Sequence, residues 1–592
     1  MKKAGQIMDL KIQAKAAEHI YSIAARKTIE PAVKFSPVKS RFPRENIQIE
    51  NPLPRCNPED VGVSSRLITA FLKEVAEKKN INVHQIMVVK NGKVISEAAF
   101  APYKLDMWHV THSACKTVTA MAIGILIKDG ALKLSDRVVK IFDDICPAIS
   151  KIRLNKITVE HLLTMSSGIV MNELVIVGEK DWLKAFLESS CKFEPGSKFH
   201  YNSLNSYVLS CIVEKITGVT MFDFLQERLF APLGIKTVSW ESCPMGRTKG
   251  GWGMYLMPED MAKLALFIMR GAKIKGKAII SKEYIAAMTS KRMDTEYNEQ
   301  LNGYGYQAWM GTQKDSWFFN GMLGQNICCM PATDTVVVTT GGSDKLFGNG
   351  PVNQLVEKYF APDYPEKFPA AASSYSAVKE LRNTEKSLEN SVYALKGERL
   401  RNLFAVRNPL PREAKALDGK SYEFDRKFVR LQPLFTQILN NSYSEGIDKI
   451  CFSIENGRFI LTVHEGRRKN KIPLSFGSWV YSSLNVNGEV YEVAVTAGFT
   501  TDEDDNPVLK VMLPFIEHSD GRMIKLHFLP EGRVMMRFFE FPGGRIMGDG
   551  LDFAMDSVGE FLAGQISSRV DMELIKDLVD SAFEPVVYGK LM

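Results

Sequence analysis

The chain has 592 residues, more than a single hydrophobic core accommodates, so about two to four domains are expected. Hydrophobic residues make up 45% of it and charged residues 24%, the balance of an ordinary globular protein rather than a fibrous or disordered one. The net charge of +7 is diluted over 75 basic and 68 acidic side chains with no long Lys/Arg block, which removes the electrostatic case for nucleic-acid binding.

Residues 1–55 read as a helical lead-in and an extended, Pro-containing arm. The opening "MKKAGQIMDLKIQAKAAEHIYSIAARK" has the lysines of a secretion signal but no apolar region behind them, and it reads as an amphipathic helix. The run "TVTAMAIGILI", 11 residues between Lys116 and Lys128, is too short for a membrane span and predicts a buried helix. Nine cysteines, an odd number without framework spacing, suggest reduced thiols. Together these predict a cytoplasmic protein that does not engage a membrane.

Residues 56–362 read as one mixed domain. A helix, "SSRLITAFLKEVAEKK", precedes a hairpin, "HQIMVVKNGKVISEAAF", with Asn91-Gly92 as its turn. Long helical patterns follow, then two strands, "GQNICCMP" and "TVVVTTGG". Strands at both ends with helices between predict an antiparallel sheet whose first and last strands meet, flanked by helices. Residues 363–410 read as a connector carrying a polar helix, "SAVKELRNTEKSLEN". Residues 411–558 change to short alternating strands with turn signals such as Asn456-Gly457 and Asn487-Gly488, about eight strands of a β-barrel-like domain. Residues 559–592 return to a helical pattern. The fold class is therefore α+β: an antiparallel sheet flanked by helices, followed by an antiparallel β-barrel-like domain.

Ser-x-x-Lys occurs four times, as Ser36/Lys39, Ser113/Lys116, Ser189/Lys192 and Ser376/Lys379. Only Ser113 opens a long apolar helix, "SACKTVTAMAIGILIKDGAL". Positions i and i+3 share a helix face, so Lys116 Nζ can lie beside Ser113 Oγ and take its proton if the amine is neutral. The N-terminus of the helix also offers free N–H groups to an oxyanion. The plain alternative is an N-cap serine. His109, His112 and Cys115 have a metal-like spacing, but no further ligand cluster accompanies them, and neither a metal nor another cofactor is expected.

Six stretches in order over about 300 residues resemble the serine β-lactamase/penicillin-binding-protein superfamily, in its class C-related branch of esterases, D-aminopeptidases and 6-aminohexanoate-oligomer hydrolases. They are "GKVISEAAFAPY", "HSACKTVTAMAIGILIKDG", "ITVEHLLTMSSGI", "EPGSKFHYNSLNSYVLSCIVEKITG", "GGWGMYLMPEDMAKLALFIMRGAKIKGKAIIS" and "FFNGMLGQNICCMPATDTVVV". The resemblance implies Ser113 as the acylated nucleophile, Lys116 as its base and Tyr201 as a partner in proton transfer. It aligns Phe319-Asn320-Gly321 with the family's Lys-Thr-Gly strand, so that the Ser113 and Met322 N–H groups form the oxyanion hole. Ser203, Asn320, Gly321, Gly324, Gln325 and Trp182 are implied as substrate-binding residues, and Glu173, Glu179 and Asp181 lie in a loop expected near the cleft. Two positions depart from the pattern. Ser203 stands where the Tyr motif usually has asparagine, with Asn202 and Asn205 as nearby substitutes. Phe319 stands where many members have Lys or His to hold a substrate carboxylate.

The resemblance implies a serine hydrolase that cleaves an ester or amide of a small-molecule or peptide-like substrate through an acyl-enzyme. The alternatives are a penicillin-binding or sensor-type protein that acylates but turns over slowly, and a D-amino-acid peptidase. The β-rich part is similar to lipocalin-like barrels appended to some members, where it would cap the cleft, filter substrates by size or build a homo-oligomer.

Overall fold

Asn91 and Gly92 both adopt left-handed backbone angles, φ 51° and 72°, as a type I′ hairpin turn requires. They join β1 (Val83–Lys90) to β2 (Lys93–Ala99), the hairpin expected from the sequence. The computed structural model describes residues 42–43, 49–170, 176–295, 302–343, 350–362, 375–390, 410–425, 428–543 and 584–592. All of the expected lead-in helix and most of the 559–592 tail lie outside them. The chain divides chiefly into two units, Pro43–Ser391 and Val392–Met592.

In the first unit, a small sheet is formed by β3 (His109–Val110), β4 (Val238–Trp240) and β5 (Met254–Leu256), in the order β3-β5-β4. A short hairpin, β6 (Lys273–Ile274) and β7 (Lys277–Ala278), follows. The main sheet is completed by β8 (Trp309–Met310), β9 (Trp317–Gly321), β10 (Gln325–Met330) and β11 (Thr335–Gly341), in the order β2-β1-β11-β10-β9-β8. The outer sequence strands do meet: β1 pairs antiparallel with β11, Val88 opposite Val337. All seven residues of β11 are buried, because helices cover both faces of the sheet. Val337 joins a core with Phe71 and Leu72 of the Ser65–Glu77 helix and Leu355 of the Pro351–Phe360 helix. Val336 and Val338, one residue out of phase, fall on the other face, where the Pro258–Met269 helix packs.

The helix expected in the connector, Tyr375–Asn390, belongs to this unit. It is not solvated all round. Ala377, Leu381 and Leu388 are buried on one side against the Ser65–Glu77 helix and β2, and Ser96 Oγ on β2 donates to Glu385 at 2.6 Å. Three apolar side chains at helical spacing suffice to dock a helix that is polar elsewhere. The described part of the arm also docks here: Val94 N donates to Pro54 O at 2.8 Å, and Arg55 makes an ion pair with the buried Glu259 at 2.7 Å.

The second unit is a nearly closed ten-stranded antiparallel barrel. Its strands are β12 (Ser421–Phe424), β13 (Ile447–Glu455), β14 (Arg458–Glu465), β15 (Arg468–Leu474), β16 (Val480–Val486), β17 (Glu489–Thr501), β18 (Pro507–Pro514), β19 (Gly521–Leu529), β20 (Arg533–Phe541) and β21 (Val586–Leu591). The order is β15-β14-β13-β12-β21-β20-β19-β18-β17-β16. The sequence pattern missed β21: Val586–Leu591 is a strand where a helical tail was expected, paired with β12 on one side and β20 on the other. The barrel's seam lies between β15 and β16, where the Asn470 side chain receives Asn485 N–H at 2.9 Å and donates to Asn485 O at 3.1 Å. Inside, Phe452 and Phe459 stack with centroids 5.5 Å apart, and the alternating residues of each strand fill the core. The short Leu434–Asn440 helix belongs to the same unit. Among the described residues of the chain, no helix is long and apolar enough to cross a membrane.

Candidate active site

Ser113 sits in a single 3-10 turn, His112–Ala114, from which the Cys115–Lys128 helix continues. The turn follows β3 directly and is held at its start by Thr111, whose N–H and Oγ1 both reach Met254 O, at 2.8 and 3.0 Å. His112, just before the serine, has φ 45°, a left-handed conformation that a non-glycine residue adopts only under constraint from its surroundings. The strain turns the chain sharply from strand to helix at the serine.

One turn along the helix, Lys116 is 1% exposed. Its Nζ lies 2.8 Å from Ser113 Oγ and 2.7 Å from Gly251 O, and 4.9 Å from the centroid of the Tyr201 ring. Tyr201 stacks on Trp309 at 5.7 Å and meets Tyr304 edge-on at 6.4 Å. The structure thus gathers the serine, lysine and tyrosine singled out in the sequence into one cluster. The rival Ser-x-x-Lys pairs are different. Ser189 is buried with its Oγ donating to Ala185 O at 2.7 Å, Ser376 and Lys379 are exposed, and Ser36/Lys39 lies outside the described residues.

The edge of the main sheet closes on this turn. A Cβ on Gly321 would lie 2.4 Å from Thr111 O and 3.1 Å from Ala114 N, so only glycine allows β9 so close to the serine. Met322, next along, is half-buried in the Met322–Gly324 turn, and Gly324 has φ 98°. Asn320 donates its amide to Asn326 Oδ1 at 2.6 Å, and Asn326 Oδ1 also accepts from the buried Asn353 at 2.9 Å. Gln325 is buried; it bonds Gly341 N and O at 3.0 and 2.8 Å and Met322 O at 3.1 Å, pinning the glycine turn to β11. Phe319 is fully buried and stacked on Trp317 at 5.4 Å, so the strand carries a core phenyl ring where a cation was absent from the sequence.

Of the other expected binding residues, Ser203 is buried as the first residue of the Ser203–Thr217 helix. Asn202 caps that helix through Leu204 N at 2.9 Å and donates to Ile169 O at 2.7 Å, while Asn205 Nδ2 approaches Met165 Sδ at 3.5 Å. Trp182 has no exposed surface. It stacks on Trp252 at 5.3 Å and donates Nε1–H to Glu179 O at 2.9 Å. Asp181 caps the Trp182–Glu188 helix, and Glu173 lies outside the described residues. Trp182 and Gln325 therefore shape the site from within the fold and present no surface to a ligand in this conformation.

Burial decides the protonation of the neighbours. It pushes the Cys115 thiol up to about 12, which removes it as a competing nucleophile, and holds the His112 imidazole down to about 3, hence neutral. His109 bonds His84 and Val110 O, each at 2.9 Å, so its ring is committed to the fold. Among the described residues, no group of three or more His, Cys, Asp or Glu is placed to hold a metal ion.

The Gly250-Gly251 pair escaped the residue-by-residue reading of the sequence. Gly250 O accepts Thr119 Oγ1 at 2.6 Å, and Gly251 O accepts Lys116. A Cβ on either would meet Ser206 O at 2.7 Å or Ser203 O at 2.9 Å, so the pair threads between the two helices. Adjacent glycines before a strand were the available signal.

Residues 67–345 match the family model Beta-lactamase. The match covers just under half of the chain, and it makes this part similar to the β-lactamase family. Protein flp of Staphylococcus aureus (strain MW2) is 24% identical over 30% of this chain, which spans only 39% of that relative. The 6-aminohexanoate-dimer hydrolase of Paenarthrobacter ureafaciens is 22% identical over 43% of this chain and 70% of its own length. The octameric penicillin-binding protein homologue from Pyrococcus abyssi aligns over 76% of this chain and 98% of its own, with 19% identity and a TM-score of 0.41. Residues 67–345 are thus similar in sequence to the β-lactamase family, and the barrel lies outside the matched residues.

Proposed function

We propose that the β-lactamase-family domain is a serine hydrolase that opens an ester or amide bond through an acyl-enzyme on Ser113. The observation that carries this reading is the buried Lys116 Nζ, 2.8 Å from Ser113 Oγ. In its amine form Lys116 takes the hydroxyl proton as Oγ bonds to the substrate's carbonyl carbon. The negative charge passes to the carbonyl oxygen, which the N–H groups of Ser113 and Met322 receive. The carbon–oxygen or carbon–nitrogen bond of the leaving group then breaks, and the leaving group takes the proton back from Lys116 through Tyr201. Water attacks the ester so formed, giving up its proton by the same route, and the acid departs with Ser113 restored.

Phe319 in the core supports neutral substrates, since β9 offers no cation to a substrate carboxylate. The name of the Paenarthrobacter relative makes a 6-aminohexanoate dimer worth testing beside simple esters. Intact-mass spectrometry tests the reading: an activated phosphonate ester should add once to the wild type and not at all to Ser113→Ala. An adduct on both proteins would place the reactive group elsewhere. A penicillin should leave no lasting adduct, whereas a persistent one would favour the penicillin-binding reading over the hydrolase.

A further inference from the structure

The acceptor that fixes Lys116, Gly251 O, is itself held by a buried ion pair outside the serine–lysine–tyrosine cluster. Lys249 Nζ lies 2.5 Å from Glu241 Oε2, and each side chain is only 3% exposed. Tyr255 donates its hydroxyl to the other carboxylate oxygen at 3.0 Å. The backbone ties the same residues together: Lys249 N donates to Glu241 O at 3.0 Å, Gly251 N to Lys249 O at 2.7 Å, and Glu241 N to Gly253 O at 2.8 Å. Gly253 has no room for a side chain, because a Cβ would fall 2.6 Å from Glu241 Oε2. The Lys249 ammonium also lies 5.6 Å from the Trp252 ring, which stacks on Trp182.

All three partners hang on the small sheet. Glu241 follows β4, the glycine turn leads into β5, and Tyr255 lies on β5 opposite Val110 of β3, which leads into the Ser113 turn. A movement of the 249–253 turn therefore moves the acceptor of Lys116 against a nucleophile fixed to the same sheet. We infer that Glu241, Lys249 and Tyr255 are positioning residues: their ion pair and hydroxyl clamp the 249–253 turn so that Gly251 O orients the Lys116 amine toward Ser113. This rests on the serine-hydrolase reading. Burying two charges is costly, and the structure retains them at the turn whose Gly251 carbonyl accepts from Lys116. A base a fraction of an ångström out of line loses much of its effect.

The test is the single-turnover acylation of the full chain by a p-nitrophenyl ester, with the released nitrophenol normalised to the burst amplitude so that only competent molecules count. Glu241→Gln removes the carboxylate charge from beside Lys249 and is expected to lower the limiting acylation rate on the order of tenfold to a hundredfold, with the half-saturating ester concentration within about twofold of wild type. Glu241→Gln/Lys249→Gln, which restores a neutral hydrogen-bonded pair, should recover much of the rate. Tyr255→Phe removes one hydroxyl and no charge, and should slow acylation by a smaller factor; it decides the matter if Glu241→Gln does not fold. A wild-type limiting rate in folded Glu241→Gln, or in Tyr255→Phe where that variant decides, overturns the positioning role and leaves the hydrolase reading intact. Acylation of the wild type that persists in Ser113→Ala overturns both.

Discussion

Gly321 carries more of the site than its size suggests. It is the position where the main sheet touches the Ser113 turn, and its hydrogen is all that separates the backbone from Thr111 O. Gly321→Ala should force β9 and the turn apart. The expected cost is about 1–3 kcal/mol of stability, read as a lower urea midpoint, together with a loss of acylation larger than the stability change explains. The Ser113–Lys116 contact was legible in the sequence because, of the four Ser-x-x-Lys serines, only Ser113 opens a long apolar helix. Tyr201 and Gly321 were legible only through the resemblance, since a tyrosine or a glycine alone is unremarked. Glu241 and Lys249 were not legible at all. Nothing in their spacing distinguishes a buried ion pair from two surface charges, and only the turn between β4 and β5 brings them together.

Among the elements, the seam of the barrel is the most exposed to a single change. β15 and β16 are linked there by the two hydrogen bonds of the Asn470 side chain and by Arg468 Nη1, which donates to Asn485 Oδ1 at 2.6 Å. Asn470→Ala should lower stability by about 1–3 kcal/mol, since Asn485 N–H and C=O lose their protein partner; thermal unfolding of the variant beside wild type measures it. A variant as stable as wild type would mean that the seam is closed by other contacts. Strands of this domain were readable from alternation and Asn-Gly turns, of which Asn456-Gly457 and Asn487-Gly488 both take left-handed angles. β21 was not, because "VVYGKL" follows a stretch of helical pattern and has no turn signal of its own. The Tyr375–Asn390 helix was found, but its docking was not: Ala377, Leu381 and Leu388 are three apolar residues spread through a polar sequence, too few to mark a buried face.

For the whole molecule, the strongest pH response is expected from the barrel. Burial pushes Glu540 up to about 7 and Asp520 up to about 6, although Arg522 beside them favours the charged forms. Both accept bonds near the Leu434–Asn440 helix, Asp520 from Thr436 Oγ1 at 2.6 Å, and Glu540 pairs with Arg522 at 2.8 Å. A carboxyl whose folded value lies above the unfolded one favours the fold while protonated. The stabilisation is thus full below about pH 4, the unfolded range, and is lost as pH rises through 6 and 7. The urea midpoint of the barrel transition should fall between pH 5 and pH 8, and Glu540→Gln should flatten that fall; an unchanged slope in the variant would assign it to other groups.

The two units also differ in when they can be completed. Every strand of the main sheet lies between residues 83 and 341, so that unit has its whole sheet in hand early in synthesis. The barrel does not. β21 stands between β12 and β20, so both strands keep a bare edge until residues 586–591 have left the ribosome. During that interval the growing chain carries a first unit whose sheet is complete and an open, sticky second sheet. Chaperone demand and aggregation during expression should therefore follow the fate of these six residues more than any residue near Ser113.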